Sequence, residues 1–210
     1  MTVQAVIFDM DGVLVDSEGF YYERRKKFLA SQGISLEAYP PSYFVGGNMQ
    51  QFWSEFIKEP AEVTVMQAAY ERYKETHPAD YVALLNPDVP SVLKSLKERK
   101  LKIGLASSSL MSEIKHMLTT TGLAGYFDCV VSGEQFVESK PHPAIYQHTL
   151  TCLAVLPQQA IAVEDSPKGI QAAKASGMSV FALKQAQELD QSQADIVLKR
   201  LPELLQYLPN

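Results

Sequence analysis

The segment VQAVIFDMDGVLVDS, residues 3–17, constrains the fold of this chain more than any other. An apolar run from Val3 to Phe8 breaks off abruptly into Asp9, Met10, Asp11 and Gly12. A short continuous apolar run bounded by a turn signal reads as a strand buried on both faces, the habit of a central strand in a parallel sheet. Its carboxyl end then opens onto a crevice, where open α/β sheets bind their ligands. Two like charges so close raise each other's pKa unless a cation sits between them, and a Mg²⁺ ion would relieve that repulsion. The plainer alternative is that Asp9 and Asp11 only cap a turn.

Three later segments supply matching chemistry. LKIGLASSS (101–109) and AIAVEDSPKGI (160–170) each read as a strand running into polar or acidic residues, and SKPHP (139–143) sets Lys140 before a proline-stiffened helix start. In the order of these four motifs, and along essentially the whole chain, the sequence resembles the haloacid dehalogenase superfamily of phosphoryl-transfer enzymes. Within it, DMDGVLVDS and the long segment EDSPKGIQAAKASGM are most similar to the β-phosphoglucomutase-like phosphatase group.

Apolar spacing divides the chain in two. Phe20, Tyr21, Arg24, Phe28 and Leu29 repeat at helical spacing up to Gly33, and further helices are expected around Met49–Ile57 and Glu62–Lys74, with no strand between. From Pro87 onward helix and strand alternate. Helices are expected at Val89–Arg99, Met111–Thr121, Pro143–Leu153, Lys168–Ser176 and Pro202–Leu208, and strands at Lys102–Ala106, Cys129–Ser132, Ala160–Val163, Ser179–Ala182 and Ile196–Leu198. Such alternation argues a parallel sheet with helices on both faces. The fold class is therefore α/β, and the resemblance implies a Rossmann-like core, residues 1–17 and 85–210, with an inserted α-helical cap domain, residues 18–84. Hinges are expected near Asp16–Glu18 and Leu84–Pro87.

Phosphoryl transfer needs a nucleophile, a proton source for the leaving oxygen and positive charge around the equatorial oxygens. The resemblance implies Asp9 as the nucleophile and Asp11 as general acid and base. It further implies Ser107 as the phosphate-binding hydroxyl, with Ser108 offering its backbone N–H, and Lys140 as the cation that neutralises the transferring group. Asp165 and Glu164 would complete an oxygen-rich Mg²⁺ site with Asp9 and the backbone carbonyl of Asp11. Gly46 and Gly47 would form the cap loop that samples the leaving group. Ser109 reads as a helix cap, His142 as a surface or helix-start residue, and the basic run Arg24–Lys27 as the solvated face of the first cap helix. Tyr21, Tyr22, Phe44 and Trp53 read as cap core, one or two of them within reach of a substrate.

An acid at Asp11 favours phosphate esters, since the dehalogenase and phosphonatase relatives generally lack it. Against β-phosphoglucomutase itself, Tyr21 stands where that enzyme has a histidine, Met49 where it has a phosphate-binding arginine, and Val45 where it has a basic residue. The expectation is a phosphatase acting on a small phosphorylated metabolite, a sugar phosphate or nucleotide. A phosphosugar mutase is the alternative, and a catalytically idle ligand-binding relative is a third reading.

A formal net charge of −5 offers no field for a nucleic acid polymer, and no apolar stretch approaches the roughly 18 residues of a membrane span. No basic segment followed by a cleavable apolar one opens the chain, so the expected compartment is the cytoplasm. Cys129 and Cys152 sit in apolar contexts without metal-type spacing and read as reduced packing residues. With no apolar heptad stripe, a monomer is expected.

Overall fold

A computed structural model describes residues 2–39, 52, 53, 56–186 and 188–209. Strand β1 (Ala5–Phe8) is buried at every position. It is flanked by β2 (Lys102–Ser107) and β4 (Ala160–Glu164), and the sheet extends outward to β3 (Cys129–Ser132) on one side and to β5 (Ser179–Leu183) and β6 (Ile196–Leu198) on the other. All six strands are parallel, in the order β3-β2-β1-β4-β5-β6. The order reverses beside β1, which makes its carboxyl end the switch point of the sheet. The first strand is shorter than the expected Val3–Phe8, although Gln4 still donates to Gln159 O and accepts from Lys102 N–H at its foot.

The helices are α1 (Glu18–Ser31), α2 (Pro60–Thr76), α3 (Tyr81–Leu84), α4 (Val89–Glu98), α5 (Met111–Thr120), α6 (Ala144–Leu153) and α7 (Pro167–Ala175). Helix α1 stops where Gly33, at φ +77°, turns the chain and Ile34 N–H returns to Leu29 O. Helix α7 starts on Ser166, whose hydroxyl accepts from Gly169 N–H at 3.2 Å, with Pro167 at the first helical position. The expected final helix is instead a 3₁₀ segment, Leu201–Tyr207: Pro202 and Pro209 bracket a stretch too short to gain much from α-type bonding. The expected helix around Met49–Ile57 lies largely outside the described residues.

Two apolar layers cover the sheet. Val6, Phe8, Ile103, Leu105 and Val163 face α4 and α5, whereas Ala5, Ile7, Ala106, Ala162 and Val180 face α6 and α7. This is the alternation of side chains along a strand. Gly104 lets α6 approach β2, since a Cβ there would stand 2.9 Å from Thr149 Cγ2. Cys129 on β3 and Cys152 on α6 are joined by a disulfide, their Cα atoms 6.2 Å apart. The expectation that both are reduced is thereby corrected: packing of α6 on β3 brings together two residues that lie 23 apart in sequence.

A third apolar cluster, built on Phe28, Leu29, Leu36, Trp53 and Tyr70, lies wholly within residues 18–84. Trp53 is fully buried there, edge-on to Phe28 and Tyr70. The chain leaves the sheet for this helical segment and returns from it at one place. Asp16 N–H donates to Leu84 O at 2.8 Å, Asn86 N–H to Leu14 O at 3.0 Å, and Val15 bridges Leu85 in antiparallel fashion.

Candidate active site

Strand register builds the centre of the site. β1 pairs Phe8 with Leu105 on one side and with Val163 on the other. One residue further along, Asp9 therefore comes level with Ala106 and Glu164. Lys140 enters this rung from the loop before α6. Its Nζ donates to Asp9 Oδ1 at 2.9 Å, Glu164 Oε1 at 2.6 Å and Ala106 O at 3.1 Å. Tyr146, from α6, donates to Glu164 Oε1 at 2.5 Å and stands 3.3 Å from Lys140 Nζ. Asp165 N–H and the Ser166 hydroxyl approach the other oxygen of Glu164 at 3.1 and 3.4 Å. Glu164 is thus fully buried with both oxygens engaged.

Two glycines make room for these carboxylates. At Gly169 a Cβ would collide with the Glu164 carboxylate, so α7 can sit against the sheet only without one. At Gly12, where φ is +75°, a Cβ would fall onto the Asp165 carboxylate. Gln185 donates to Gly12 O at 2.7 Å and Gln191 to Asp165 O at 2.7 Å, tying the two acidic turns to the end of β5.

Asp11 is held apart from this cluster by two hydroxyls, Ser17 on Oδ1 at 2.5 Å and Ser109 on Oδ2 at 2.7 Å. Ser109 is itself fixed by the Ser132 hydroxyl, which donates to its carbonyl at 2.7 Å. Ser107 is fully buried as the last residue of β2, and its hydroxyl accepts from Ser109 N–H at 3.0 Å. Ser108 and Ser109 line the cavity; Ser107 builds the turn that presents them.

Burial raises the pKa of Asp9 to about 8; the Lys140 charge opposes the shift, while Glu164 and Asp11 add to it. An ion pair at 2.9 Å would ordinarily hold a carboxyl low, but Lys140 is shared with Glu164, so burial prevails. Lys140 is nonetheless held above its ordinary range, the two carboxylates outweighing the cost of its burial. Burial also raises Asp11, with Ser17 and Ser109 opposing. Asp165 is raised by burial and by the charges of Glu164 and Asp9. Glu18 rises to about 7 through burial and Asp11.

Carboxylate oxygens of Asp9, Glu164 and Asp165 lie within 4.8 Å of one another. Asp165 Oδ2 is buried without a hydrogen-bond partner. A buried, unsatisfied carboxylate oxygen in an all-oxygen cluster fits a hard divalent cation, which would supply the missing partner.

Above these residues a cavity of about 530 Å³ extends under α1 and α2. Tyr21 lies on its wall, its hydroxyl 3.0 Å from that of Tyr81. The basic run is a solvated face only in part: Lys27 is exposed, whereas Arg24 and Arg25 turn inward. Arg24 is 7% exposed and reaches Tyr70 OH, His77 O and Glu113, while Arg25 is half-buried on the cavity wall. Aromatic faces explain the difference, since the Arg24 guanidinium lies 5.1 Å from the ring centroids of Phe20 and Tyr21. His142 caps the entry to α6, accepting from Ala144 N–H at 3.3 Å, and pairs with Glu138. Gly46, Gly47, Val45, Met49 and Phe44 lie outside the described residues. Sequence reasoning missed Ser17, Glu18, Arg25 and Tyr146; only Ser17 carried a signal, its hydroxyl lying next to the acidic motif.

Residues 6–183 match the family model described as haloacid dehalogenase-like hydrolase. The chain is 29% identical to a phosphoglycolate phosphatase of Aquifex aeolicus over 99% of its own length and 98% of the relative's. It is 33% identical to a phosphorylated carbohydrates phosphatase of Thermotoga maritima, over 84% of this chain and 82% of that one. Among solved structures, a β-phosphoglucomutase from Clostridium difficile superimposes with a TM-score of 0.84 at 24% identity, covering 98% of this chain and 95% of the other.

Proposed function

Because the chain belongs to the haloacid dehalogenase-like hydrolases, and its relatives are phosphatases, we propose that it hydrolyses a small phosphomonoester through an aspartyl-phosphate on Asp9. The observation that carries this reading is the pairing of two differently held carboxylates. Asp9 is salt-bridged to Lys140 at the carboxyl end of the central strand, and Asp11 is held off by Ser17 and Ser109 on the cavity side. Phosphoglycolate and phosphorylated carbohydrates, the compounds for which the relatives are named, support a small phosphorylated metabolite as the substrate.

In this reading an Asp9 oxygen attacks phosphorus and the ester oxygen departs. Asp11, whose carboxyl is pushed up by burial, stands on the cavity side as the acid that protonates that oxygen and then as the base that takes a proton from the water attacking the aspartyl-phosphate. Lys140 balances the charge of Asp9 and of the transferring group, and Glu164 with Tyr146 fixes its ammonium in position. The turn at Ser107–Ser109 receives the phosphoryl oxygens through the Ser108 N–H. Residues 18–84 act as a cap that closes the cavity over the ester. Asp9 and Asp165, with the main-chain oxygen of Asp11, would hold Mg²⁺, and Glu164, expected beside them, keeps both oxygens engaged with Lys140, Tyr146 and the Asp165 N–H instead; when bound, the ion supplies positive charge against the repulsion between Asp9 and the incoming phosphate.

The test is phosphate release from a panel of sugar phosphates, nucleotides and other monoesters, with Mg²⁺ and with chelator. The panel includes β-glucose 1-phosphate assayed for glucose 6-phosphate. Metal-dependent release that disappears in a folded Asp9→Asn protein is the expected result. Undiminished release in that variant overturns the assignment of Asp9, and isomerisation without release makes the enzyme a mutase.

A further inference from the structure

Among the described residues four cations line the cavity: Arg24, Arg25, Lys74 and Lys140. Three of them are matched internally. Lys140 is bonded to Asp9 and Glu164, Lys74 to Glu71 and Glu113, and Arg24 to Tyr70, His77 O and Glu113. Arg25 differs. Among the described residues it forms no ion pair, and its Nε is buried without a hydrogen-bond acceptor. A buried guanidinium N–H left unsatisfied is costly and calls for an explanation, of which an acceptor brought by a ligand is one.

Arg25 is also held in place. Its guanidinium carbon lies 5.5 Å from the ring centroid of Phe52 and 5.9 Å from that of Tyr21. Stacking of this kind limits the side chain's freedom while leaving the donors of its planar fork open to an acceptor in that plane. Along α1, Glu18, Tyr21 and Arg25 follow at i, i+3 and i+7 and all line the cavity. Arg25 is one turn beyond Tyr21, about 6 Å further along the helix axis from the Asp11 end. It therefore faces the alcohol portion of a bound ester and not the phosphoryl group, which Lys140 and the Ser108 turn receive. The neighbouring wall carries Glu18 and Glu71, acceptors for the hydroxyls of a neutral alcohol, and Glu18 feels the charge of Arg25 without forming an ion pair with it. An anionic group finds one open cation suited to a two-pronged oxygen acceptor.

We propose that Arg25 reads a second anionic group, a carboxylate or a phosphate a few carbons from the scissile ester, and so selects acidic phosphomonoesters over neutral ones. The proposal rests on the phosphatase reading and names the substrate class of the same cavity. It makes Arg25 a specificity residue for the leaving group, with no part in bond making.

The experiment compares the wild-type chain with Arg25→Met and Arg25→Lys on three esters. These are 2-phosphoglycolate for the carboxylate, fructose 1,6-bisphosphate for the second phosphate, and sorbitol 6-phosphate as the neutral reference. The readout is the ratio of kcat/KM on an acidic ester to kcat/KM on the neutral one. In Arg25→Met this ratio should fall at least about tenfold on one acidic arm, mainly through KM, with Arg25→Lys falling part of the way. The arm that falls further identifies the group recognised. An unchanged ratio, or equal losses on all three esters, overturns the proposal. Should Arg25→Met fail to fold, the Arg25→Lys ratio decides in the same sense. Calorimetric titration of 2-phosphoglycolate and of fructose 1,6-bisphosphate into Asp9→Asn, with and without Arg25→Lys, reads binding without turnover. If the wild type releases no phosphate from any ester the phosphatase reading fails. Binding of either acidic ester that weakens at least about fivefold with Arg25→Lys still upholds the anion site, and binding that is absent or unaffected overturns it.

Discussion

Tyr146 illustrates how much of this site depends on a residue that touches no reacting atom. Its hydroxyl donates to Glu164, which in turn holds Lys140 against Asp9. Tyr146→Phe removes a buried donor from a carboxylate that keeps its other partners, so the expected loss is about 1–3 kcal/mol, read by urea unfolding. Asp9 itself carries a pH signature. With its pKa raised from 3.8 to about 8 in the metal-free protein, the folded state keeps a proton that the unfolded chain has lost. Its contribution to stability therefore declines as pH rises from about 4 to about 8, the opposite of a salt-bridged carboxylate with a depressed pKa. A divalent cation must displace that proton. Its affinity should increase with pH up to about 8 and then level off, and calorimetry in two buffers of different ionisation enthalpy should register proton release on binding. An affinity independent of pH over that range would contradict the assignment.

Among the elements, α7 makes the sharpest demand on sequence. Alanine is ordinarily favoured over glycine within a helix by about 1 kcal/mol. At Gly169 the sign should reverse, because the added Cβ lands on the Glu164 carboxylate, which cannot swing aside without giving up Lys140 and Tyr146. Gly169→Ala should lower stability by about 2–4 kcal/mol and reduce turnover; a stabilised variant would refute the close approach. The strands were legible because each apolar run ends in a change of residue type, as at Phe8–Asp9 and Val163–Glu164–Asp165. Helix α2 runs two residues past the expected Lys74, because its last turn is closed by polar groups that apolar spacing does not register: the Thr76 hydroxyl and His77 Nδ1 both reach Tyr73 O. The fate of Arg24 and Arg25 was not legible: a basic run looks solvated in one dimension, and only the placement of α2 and α5 against α1 buries it. Nor was the link between Cys129 and Cys152, which depends on how α6 lies across β3. Tyr146 and Glu164 are 18 residues apart on different elements, a pairing that neither strand nor helix periodicity contains.

At the scale of the molecule, the helical segment 18–84 meets the sheet layer through few charged contacts among the described residues. Glu113, at the start of α5, receives both Arg24 from α1 at 3.8 Å and Lys74 from α2 at 3.2 Å. Glu113→Gln removes the shared anion: Lys74 keeps Glu71, whereas Arg24 loses the one anion it pairs with among the described residues. Amide hydrogen exchange should then quicken across α1 and α2 while the strands keep their protection, and KM should rise. Uniform loss of protection would instead mean that the two layers unfold as one unit. No helix among the described residues is long and apolar enough to cross a membrane. The chain leaves the sheet and rejoins it at one seam, where Asp16 meets Leu84 and Asn86 meets Leu14. Such a seam is a socket: a lineage can lengthen, shorten or exchange the inserted piece without rerouting a single strand. What the inserted piece is made of is thereby free to change while the strand order beneath it stays the same.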